Sequence, residues 1–251
     1  MKGVVLAGGL GTRLYPLTLA TNKHLLPVYD RCMVEYPIST LLQAGIDRIM
    51  VVTGGPHAGD FLRVLGNGRK LGIAHLEYAY QEHEGGIADA LSLCEDFADG
   101  EPIAVVLGDN VTNANLAAPV AAFTVGAHLF FKKVPDPQRF GVPAFDTGGV
   151  LLRIDEKPAT PASDYAVTGL YLYDARVFDI IRTLAPSARK ELEITDVNNR
   201  YLGWNALGWS ELDGYWTDAG TFASLYYANA IIARERGWIA PDALAGHTVT
   251  P

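Results

Sequence analysis

The chain opens on a short apolar run, Lys2-Gly3-Val4-Val5-Leu6, that breaks at once into Ala7-Gly8-Gly9-Leu10-Gly11-Thr12-Arg13-Leu14. No other segment constrains the fold as tightly. Residues 4–6 read as a buried strand, and Gly8, Gly9 and Gly11 follow within four positions. Glycine tolerates positive φ and lets a ligand approach the main chain. A Gly-rich turn at the end of a strand aims several backbone N–H groups at an anion. Arg13 and, further on, Lys23 add fixed positive charge. The junction therefore predicts a phosphate-binding loop at the carboxyl end of a first strand, and it matches neither of two familiar kinds. A Walker loop needs G-x-x-x-x-G-K-[ST], but no Lys follows Gly11. A dinucleotide fingerprint needs G-x-G-x-x-G, but Leu14 holds its third glycine position.

The 251 residues, 49% of them hydrophobic, suffice for one large α/β domain with a real core and argue against disorder. A net charge of −8 argues against an extended nucleic-acid surface. It also requires an anion site to gather its cations locally, and Arg13, Lys23, Lys157 and Arg189 are the candidates. Cys32 and Cys94 lie far apart with no CxxC or Cys/His cluster, so neither a disulfide framework nor a zinc site is expected. Reduced thiols fit a cytoplasmic protein. The N-terminus has too few apolar residues before the glycines for a signal peptide. No apolar run approaches the roughly 20 residues that span a bilayer, so no membrane association is expected.

Apolar periodicity predicts strands at 4–6, 48–52, 75–80 and 103–107. Between them Ile38, Leu41 and Leu42 mark a helical stripe stopped by Gly45, and Ile87, Leu91, Cys94 and Ala98 mark another. This alternation implies right-handed βαβ crossovers and a mostly parallel sheet, with ligands at the carboxyl ends of its strands. The Gly-rich loop and the Gly108-Asp109 pair then share one edge. The second half is β-rich at 127–134, 142–145, 150–154 and 167–173, with Asp146-Thr147-Gly148-Gly149 as a hairpin turn. Helices are expected at 175–184, 196–202 and 222–236, the last capped by Thr221. The expected architecture is a single α/β domain over 1–251, a Rossmann-like, mostly parallel central sheet flanked by helices. Its two halves are about 1–125 and a β-rich lobe at about 126–236, followed by a short tail, 237–251.

Two aspartates stand where chemistry would need them. Asp109 follows the apolar run Val105-Val106-Leu107-Gly108, and Asp218 lies between Tyr215-Trp216-Thr217 and a helix start. Each alone reads equally as a turn or cap residue. If they converge to about 4 Å, their repulsion is roughly 4 kcal/mol at an effective dielectric near 20, and a divalent cation relieves it. Mg²⁺ suits such a pair because it takes oxygen ligands and shares them with substrate phosphates and water. Asp155-Glu156-Lys157-Pro158 reads locally as a strand end with a solvated Glu–Lys pair. In Glu193-Ile194-Thr195-Asp196, Thr195 or Asp196 reads as a helix cap, within a scaffold that orients Arg189. The histidines form no triad with a Ser or Cys nucleophile. His24, next to Lys23, is placed where it would touch a nucleotide but is not read as a general base.

The string L-A-G-G-x-G-T-R-L-x-P-x-T over Leu6–Thr18, with Lys23-His24-Leu25-Leu26-Pro27-Val28 after it, resembles the signature of the sugar nucleotidyltransferases. The K-x-L-L-P-V-Y-D run is most similar to the glucose-1-phosphate thymidylyltransferases. The resemblance runs from Val4 to about Arg236. It implies an enzyme that joins a sugar 1-phosphate, glucose 1-phosphate by best match, to an NTP, dTTP by best match, and releases pyrophosphate. UTP or another NTP with a different phosphorylated sugar or cyclitol remains the alternative, and a non-catalytic nucleotide-sugar-binding paralogue the remote one.

By the same resemblance, Leu6, Gly8, Gly9, Gly11, Thr12 and Arg13 line the nucleotide with Gln81, Gly86 and Asp109, and the first half is the nucleotide-binding one. Arg13, Lys23 and Lys157 are the catalytic cations, and Asp109 and Asp218 hold Mg²⁺. Phe140, Gly141, Glu156, Lys157 and Val167 bind the sugar phosphate in the β-rich lobe, Glu156 accepting from sugar hydroxyls and Lys157 neutralising the phosphate. The Gln81 amide, which both donates and accepts, matches the N3–H and carbonyl edge of thymine or uracil. The chain departs from the pattern at His83-Glu84-Gly85, at Asp89 where Gln is common, at His24 likewise, and at Phe140 where Tyr is common. An acidic Asp89 is unfavourable beside phosphates unless it points away or meets a sugar hydroxyl. Long-form members carry a further helical C-terminal segment tied to an allosteric site. This sequence stops at Pro251 without most of it, so feedback through a second site is expected to be weak or absent. Family habit suggests a homo-oligomer, a dimer or tetramer.

Overall fold

The structure, a computed structural model, describes residues 1–238, so the expected tail falls outside the described residues from 239 onward. The first strand, β1 (Lys2–Ala7), is buried along its whole length. Its Val4 and Leu6 point into one apolar cluster and Val5 and Ala7 into another, as the two-residue repeat of a strand requires. A strand covered on both faces reads as an unbroken apolar run, which is why its sequence shows no polar alternation.

Around it the chain lays down the hairpin β2 (Pro27–Val28) and β3 (Arg31–Cys32), α1 (Glu35–Gln43), β4 (Arg48–Gly54), α2 (Ala58–Leu65), β5 (His75–Gln81), α3 (Ile87–Ser92), α4 (Glu95–Ala98) and β6 (Ile103–Leu107). The second half adds β7 (Asn110–Thr112), α5 (Ala117–Ala122), β8 (Ala127–Lys133), β9 (Gly141–Phe145), β10 (Leu151–Glu156) and β11 (Tyr165–Tyr173). It ends with α6 (Arg176–Arg182), α7 (Ile194–Gly203), β12 (Leu207–Glu211), β13 (Trp216–Asp218) and α8 (Phe222–Glu235).

Seven strands form one sheet in the order β12-β8-β11-β6-β1-β4-β5. The neighbours β6, β1, β4 and β5 are mutually parallel, and β12 is parallel to β8. Only β11 runs against its neighbours β6 and β8. The expected mostly parallel sheet with flanking helices is therefore present, and it draws strands from both halves of the chain. Ile38 and Leu41 of α1 and Phe61 and Leu65 of α2 pack on one face. Leu91 of α3, Val177 and Ile181 of α6, and Val197 and Tyr201 of α7 pack on the other. The carboxyl ends of β1, β4, β5 and β6 and the amino end of β11 come to a single edge. Over that edge stand the hairpin β9–β10 and the pair β7–β13.

The stripe from Ile87 to Ala98 is not one helix. It splits between α3 and α4 at Leu93 and Cys94 while keeping Leu91, Cys94 and Ala98 fully buried. Helix α2 and strand β12 were not anticipated. The first buries only Phe61 and Leu65, too few to show a period, and the second is a partly exposed edge strand whose alternation is confined to Leu207 and Trp209. The cap expected at Thr221 is present as a capping box. Thr221 Oγ1 accepts from the Ser224 N–H at 3.2 Å, and Ser224 Oγ accepts from the Thr221 N–H at 3.0 Å. Thr221→Ala is expected to lower the unfolding free energy by about 1 kcal/mol, read as a shift of the chemical denaturation midpoint. An unshifted midpoint would deny the cap its role.

Candidate active site

The Gly-rich loop leaves β1 beside the turn after β6, where the Gly108 N–H donates to the Leu6 carbonyl at 2.8 Å. Gly11 sits at φ 69°, and a Cβ there would come within 2.6 Å of the Lys23 Cβ. Only glycine lets the loop fold down over the lysine stem. The backbone N–H groups of Gly8, Gly9, Gly11, Thr12 and Arg13 donate to no protein acceptor among the described residues. Gly8, Gly9 and Gly11 are half-buried and Thr12 and Arg13 exposed, and a run of open N–H groups like this at a strand end suits an anion. Leu10 N–H already meets one, the Glu84 carboxylate at 3.1 Å, supplied by the atypical His83-Glu84-Gly85 turn.

The two aspartates converge as the topology demands. Asp218 of β13 pairs in register with Asn110, the residue after Asp109, and the Ala219 N–H donates to the Asp109 carbonyl at 2.8 Å. Asp109 Oδ2, Asp218 Oδ2 and a guanidinium nitrogen of Arg13 all lie within 3.3 Å of the point where a Cβ on Gly220 would stand. The glycine leaves that space open between two carboxylates and a cation. Both aspartates are nearly buried, at 8% and 9% exposure.

Each aspartate has its own counter-charge. Lys23 Nζ lies 2.6 Å from Asp109 Oδ2, and the Asn110 amide donates to Asp109 Oδ1 at 3.1 Å. Burial pushes the Asp109 carboxyl up, but the lysine and the amide outweigh it and hold the group well below the usual carboxylate range. Arg139 bonds both oxygens of Asp218, at 2.8 and 3.1 Å, while its other terminal nitrogen bonds Asp136 at 2.7 Å. There the balance tips the other way. Burial, and then the Asp109 charge, push Asp218 up to about 6 against the pull of Arg139 and Arg13. Among the described residues no group of three or more His, Cys, Asp or Glu side chains gathers around a metal position. Two carboxylates with open space between them suit a hard cation that completes its shell from water and phosphate.

On the other side of Arg139 the β9–β10 hairpin brings four of the expected residues together. Glu156 pairs in register with Gly141, and the Lys157 N–H donates to the Phe140 carbonyl at 3.0 Å. A Cβ on Gly141 would stand 3.3 Å from Thr195 Oγ1 and 3.5 Å from a Val167 methyl, so Val167 of β11 faces the same space. Glu156 is held by Thr195 Oγ1 at 2.6 Å, Arg189 at 3.0 Å and Lys157 Nζ at 3.2 Å. Thr195 is thus no helix cap. Glu193 is the N-cap residue, and neither Thr195 nor Asp196 supplies a capping bond. Glu193 does hold Arg189, at 2.8 and 3.2 Å, as the scaffold reading required.

At the far end of the edge, Gln81 closes β5 beside Gly8 and Gly54. Its Oε1 lies 2.5 Å from the point that a Cβ on Gly8 would occupy. Its Nε2 donates to Asp89 Oδ2 at 2.7 Å and to the Gly86 carbonyl at 3.3 Å. Asp89 therefore meets an amide, neither pointing away nor waiting for a sugar. His24 is 2% exposed with Nδ1 on the Asn22 side-chain carbonyl at 2.8 Å, and burial lowers its pKa to about 3. It packs beneath the turn after β6 as a neutral ring almost closed to solvent, in contact with the space beside Gly108.

Three partners escaped the sequence reading: Arg139 on Asp218, Thr195 on Glu156, and Asn110, whose Oδ1 accepts from Trp216 Nε1 at 2.6 Å and the Gly169 N–H at 3.1 Å. Because the Asp218 carboxyl is raised, its ionised form costs stability in the metal-free protein. The unfolded chain releases that proton near pH 4 and the folded one near 6, so the cost grows across this window and is full above it. Asp218→Asn is expected to stabilise the protein in chelator at pH 8 by on the order of 2 kcal/mol, the gain shrinking toward pH 4. Thermal unfolding at the two pH values measures this, and an equal or lower midpoint at pH 8 contradicts it.

A family model described as Nucleotidyl transferase matches residues 2–235. A glucose-1-phosphate thymidylyltransferase of Actinoplanes sp. is 47% identical over 89% of this chain and 75% of its own length. The Neisseria gonorrhoeae protein of the same name is 44% identical over 92% and 82%. A solved Bacillus anthracis structure, of a protein assigned as a glucose-1-phosphate thymidylyltransferase and complexed with a sucrose, superposes with a TM-score of 0.87 at 48% identity. It covers 92% of this chain and 94% of that one. An apo UDP-glucose pyrophosphorylase shares the fold, with a TM-score of 0.80 at 20% identity, over 94% of this chain and 99% of its own. With an open N–H loop, a pair of carboxylates and a cationic hairpin on one sheet edge, and with these relatives, the chain belongs to the nucleotidyl transferase family.

Proposed function

We propose that this protein transfers a thymidylyl group from dTTP to glucose 1-phosphate, forming dTDP-glucose and pyrophosphate. The observation that carries the reading is the convergence of Arg13, Asp109 and Asp218 around Gly220 beside the unpaired N–H groups of the loop. The named relatives supply the substrate pair. In the reaction an anionic oxygen of the sugar phosphate attacks the α-phosphorus in line. The new O–P bond forms as the bond to the bridging oxygen breaks, and pyrophosphate leaves with that electron pair. The nucleophile is already ionised, so no general base is needed and catalysis rests on alignment and charge.

The chain's own groups divide this work. Gly8, Gly9, Gly11 and Thr12 cradle the triphosphate with their N–H groups, beside Leu6 and Gly86. Arg13 and Lys23 stabilise the charge that grows on the departing pyrophosphate. Lys157 holds the phosphate of glucose 1-phosphate, while Glu156, Gly141, Val167 and Phe140 line the sugar. Asp109 and Asp218 are the groups that would hold Mg²⁺, which supplies charge neutralisation to the phosphates when bound. The nucleotide-binding half is about 1–125 and the sugar-binding half about 126–236, and the working state is proposed on family resemblance as a cytoplasmic homo-oligomer, a dimer or tetramer. No helix among the described residues is long and apolar enough to cross a membrane.

UTP is the second reading, because the carbonyl oxygen that Gln81 leaves open suits the N3–H that thymine and uracil share. A panel of NTPs against sugar 1-phosphates, followed by pyrophosphate release, tests both, with dTTP and glucose 1-phosphate expected to give the highest kcat/KM. Arg13→Ala is expected to lower turnover on the order of 100-fold or more, with the fold intact by circular dichroism. A near-wild-type rate would sink the role given to Arg13.

A further inference from the structure

Gln81 and Asp89 form a pair that transfer chemistry alone does not require. Gln81, 9% exposed, commits both hydrogens of its amide: one to Asp89 Oδ2 at 2.7 Å, the other to the Gly86 carbonyl at 3.3 Å. Only Oε1 is left, and it faces the Gly8 end of the nucleotide loop, in the space a side chain at residue 8 would fill. An amide by itself presents either a donor or an acceptor, since a half-turn about its last bond exchanges the two. Asp89 and the Gly86 carbonyl remove that freedom together, because both only accept, and the bond to Asp89 is the shorter and the charged one. The turned amide would set its oxygen against a carboxylate oxygen and lose a charge-assisted bond.

The main chain around Asp89 is tied down on both sides. A Cβ on Gly85 would fall 2.5 Å from the Asp89 carboxyl carbon, so the carboxylate lies against bare main chain. Leu192 N–H donates to the Gly85 carbonyl at 2.7 Å, and the Ala88 N–H to the Leu192 carbonyl at 3.2 Å, tying this turn to the segment before α7. Gly86 turns the chain at φ 97°, where a Cβ would meet the Leu192 carbonyl oxygen at 2.6 Å. The main chain beneath the carboxylate is thus fixed, and its bond to the amide gives Gln81 a direction.

We propose that Asp89 is a specificity-determining positioning residue: it locks the Gln81 amide with its carbonyl toward the nucleobase, so that the site accepts pyrimidines carrying a ring N–H and rejects those with a bare ring nitrogen. Thymine and uracil donate from N3 to the fixed carbonyl. Cytosine brings a lone pair to it and is repelled. This rests on the reading of the site as one for an NTP, and it assigns to Asp89 a role that a neutral amide in its place does not fill, because such an amide bonds either orientation of Gln81 and leaves only the longer contact with the Gly86 carbonyl to oppose the turned one.

The test compares the wild type with Asp89→Asn and Asp89→Glu, using dTTP and dCTP with glucose 1-phosphate and reading pyrophosphate release. Asp89→Asn is expected to lower the dTTP-to-dCTP ratio of kcat/KM about tenfold, with an unchanged thermal midpoint. Asp89→Glu, which still only accepts, is expected to keep the wild-type preference. A ratio unchanged in Asp89→Asn, both nucleotides losing activity in step, overturns the proposal and leaves Asp89 a merely structural part. Equal loss of preference in both variants overturns it too. Calorimetric dissociation constants for the two nucleotides, without sugar phosphate, read the same ratio independently of turnover. A wild type that binds dTTP over dCTP but releases no pyrophosphate with any NTP therefore counts against the transferase reading alone.

Discussion

The Lys23–Asp109 contact at 2.6 Å is the interaction on which the site depends. Asp109 stands at the end of a buried strand, where an unpaired carboxylate carries a large desolvation cost. The lysine that offsets it reaches Asp109 from beneath the Gly-rich loop, and a Cβ on Gly9 would lie only 3.9 Å from its ammonium. One ion pair thereby fastens the phosphate loop to the strand end that carries the carboxylate. Its counterpart, Arg139 on Asp218, fastens the sugar-side hairpin to the same spot, and the guanidinium also lies over the Phe140 ring at 5.0 Å. Loop, carboxylates and hairpin are joined by charge before any substrate arrives.

Sheet geometry makes these contacts available. Because β1 and β6 are parallel neighbours in register, Leu6 beside Leu107, the loop after one and the Gly108-Asp109 turn after the other emerge side by side. The reversal at β11 has a different use. Running against β6, it brings its amino end, with Val167, to the edge where the parallel strands present their carboxyl ends. Asn110 seals the junction, accepting from the Gly169 N–H on β11 and the Trp216 indole on β13 while donating to Asp109. A polar network buried this deeply fixes a geometry only when every member is satisfied, and here all three of these bonds from Asn110 are made.

What the sequence disclosed was set by how local each feature is. Strands β1, β4 and β6 were legible because strands covered on both faces write continuous apolar runs, the edge strand β5 because Leu76 and Tyr78 alternate with His75 and Glu77, and the loop because its glycines are close together in the chain. Thr221 was legible as a cap since its partner Ser224 is three residues away. The helical stripe at 87–98 showed its buried residues correctly but not its break, for periodicity records which side chains are covered and not whether the backbone bonds run through. Arg139 on Asp218, Thr195 on Glu156 and Asn110 with Trp216 were not legible at all. Those partners lie 79, 39 and 106 residues apart, and only the assembled sheet chooses them. Asp89 looked misplaced for the same reason: next to phosphates it would be a liability, but next to the Gln81 amide it is a partner, and sequence spacing does not tell the two apart.

An acidic protein that gathers phosphates has a charge problem only if the whole surface counts. At physiological ionic strength fields between exposed charges are screened within about 8 Å, so the net charge of −8 matters less than the groups at the sheet edge. There most cations are already engaged: Lys23 by Asp109, Arg139 by Asp136 and Asp218, Arg189 by Glu156, Glu191 and Glu193, and Lys157 by Glu156. Arg13, alone of this group, makes no such pair among the described residues. Apart from Arg13, such a site does not hold idle charge in wait for a ligand, which would repel itself when empty. Its other cations stand in balanced pairs, and a phosphate that engages more than Arg13 and the open N–H groups must draw a cation from a carboxylate. Each carboxylate so released then needs a new counter-charge in the same buried place. Asp109 and Asp218 are the pair left wanting, which ties the binding of a polyphosphate to the neutralisation of these two groups by the same arithmetic that holds the empty site together.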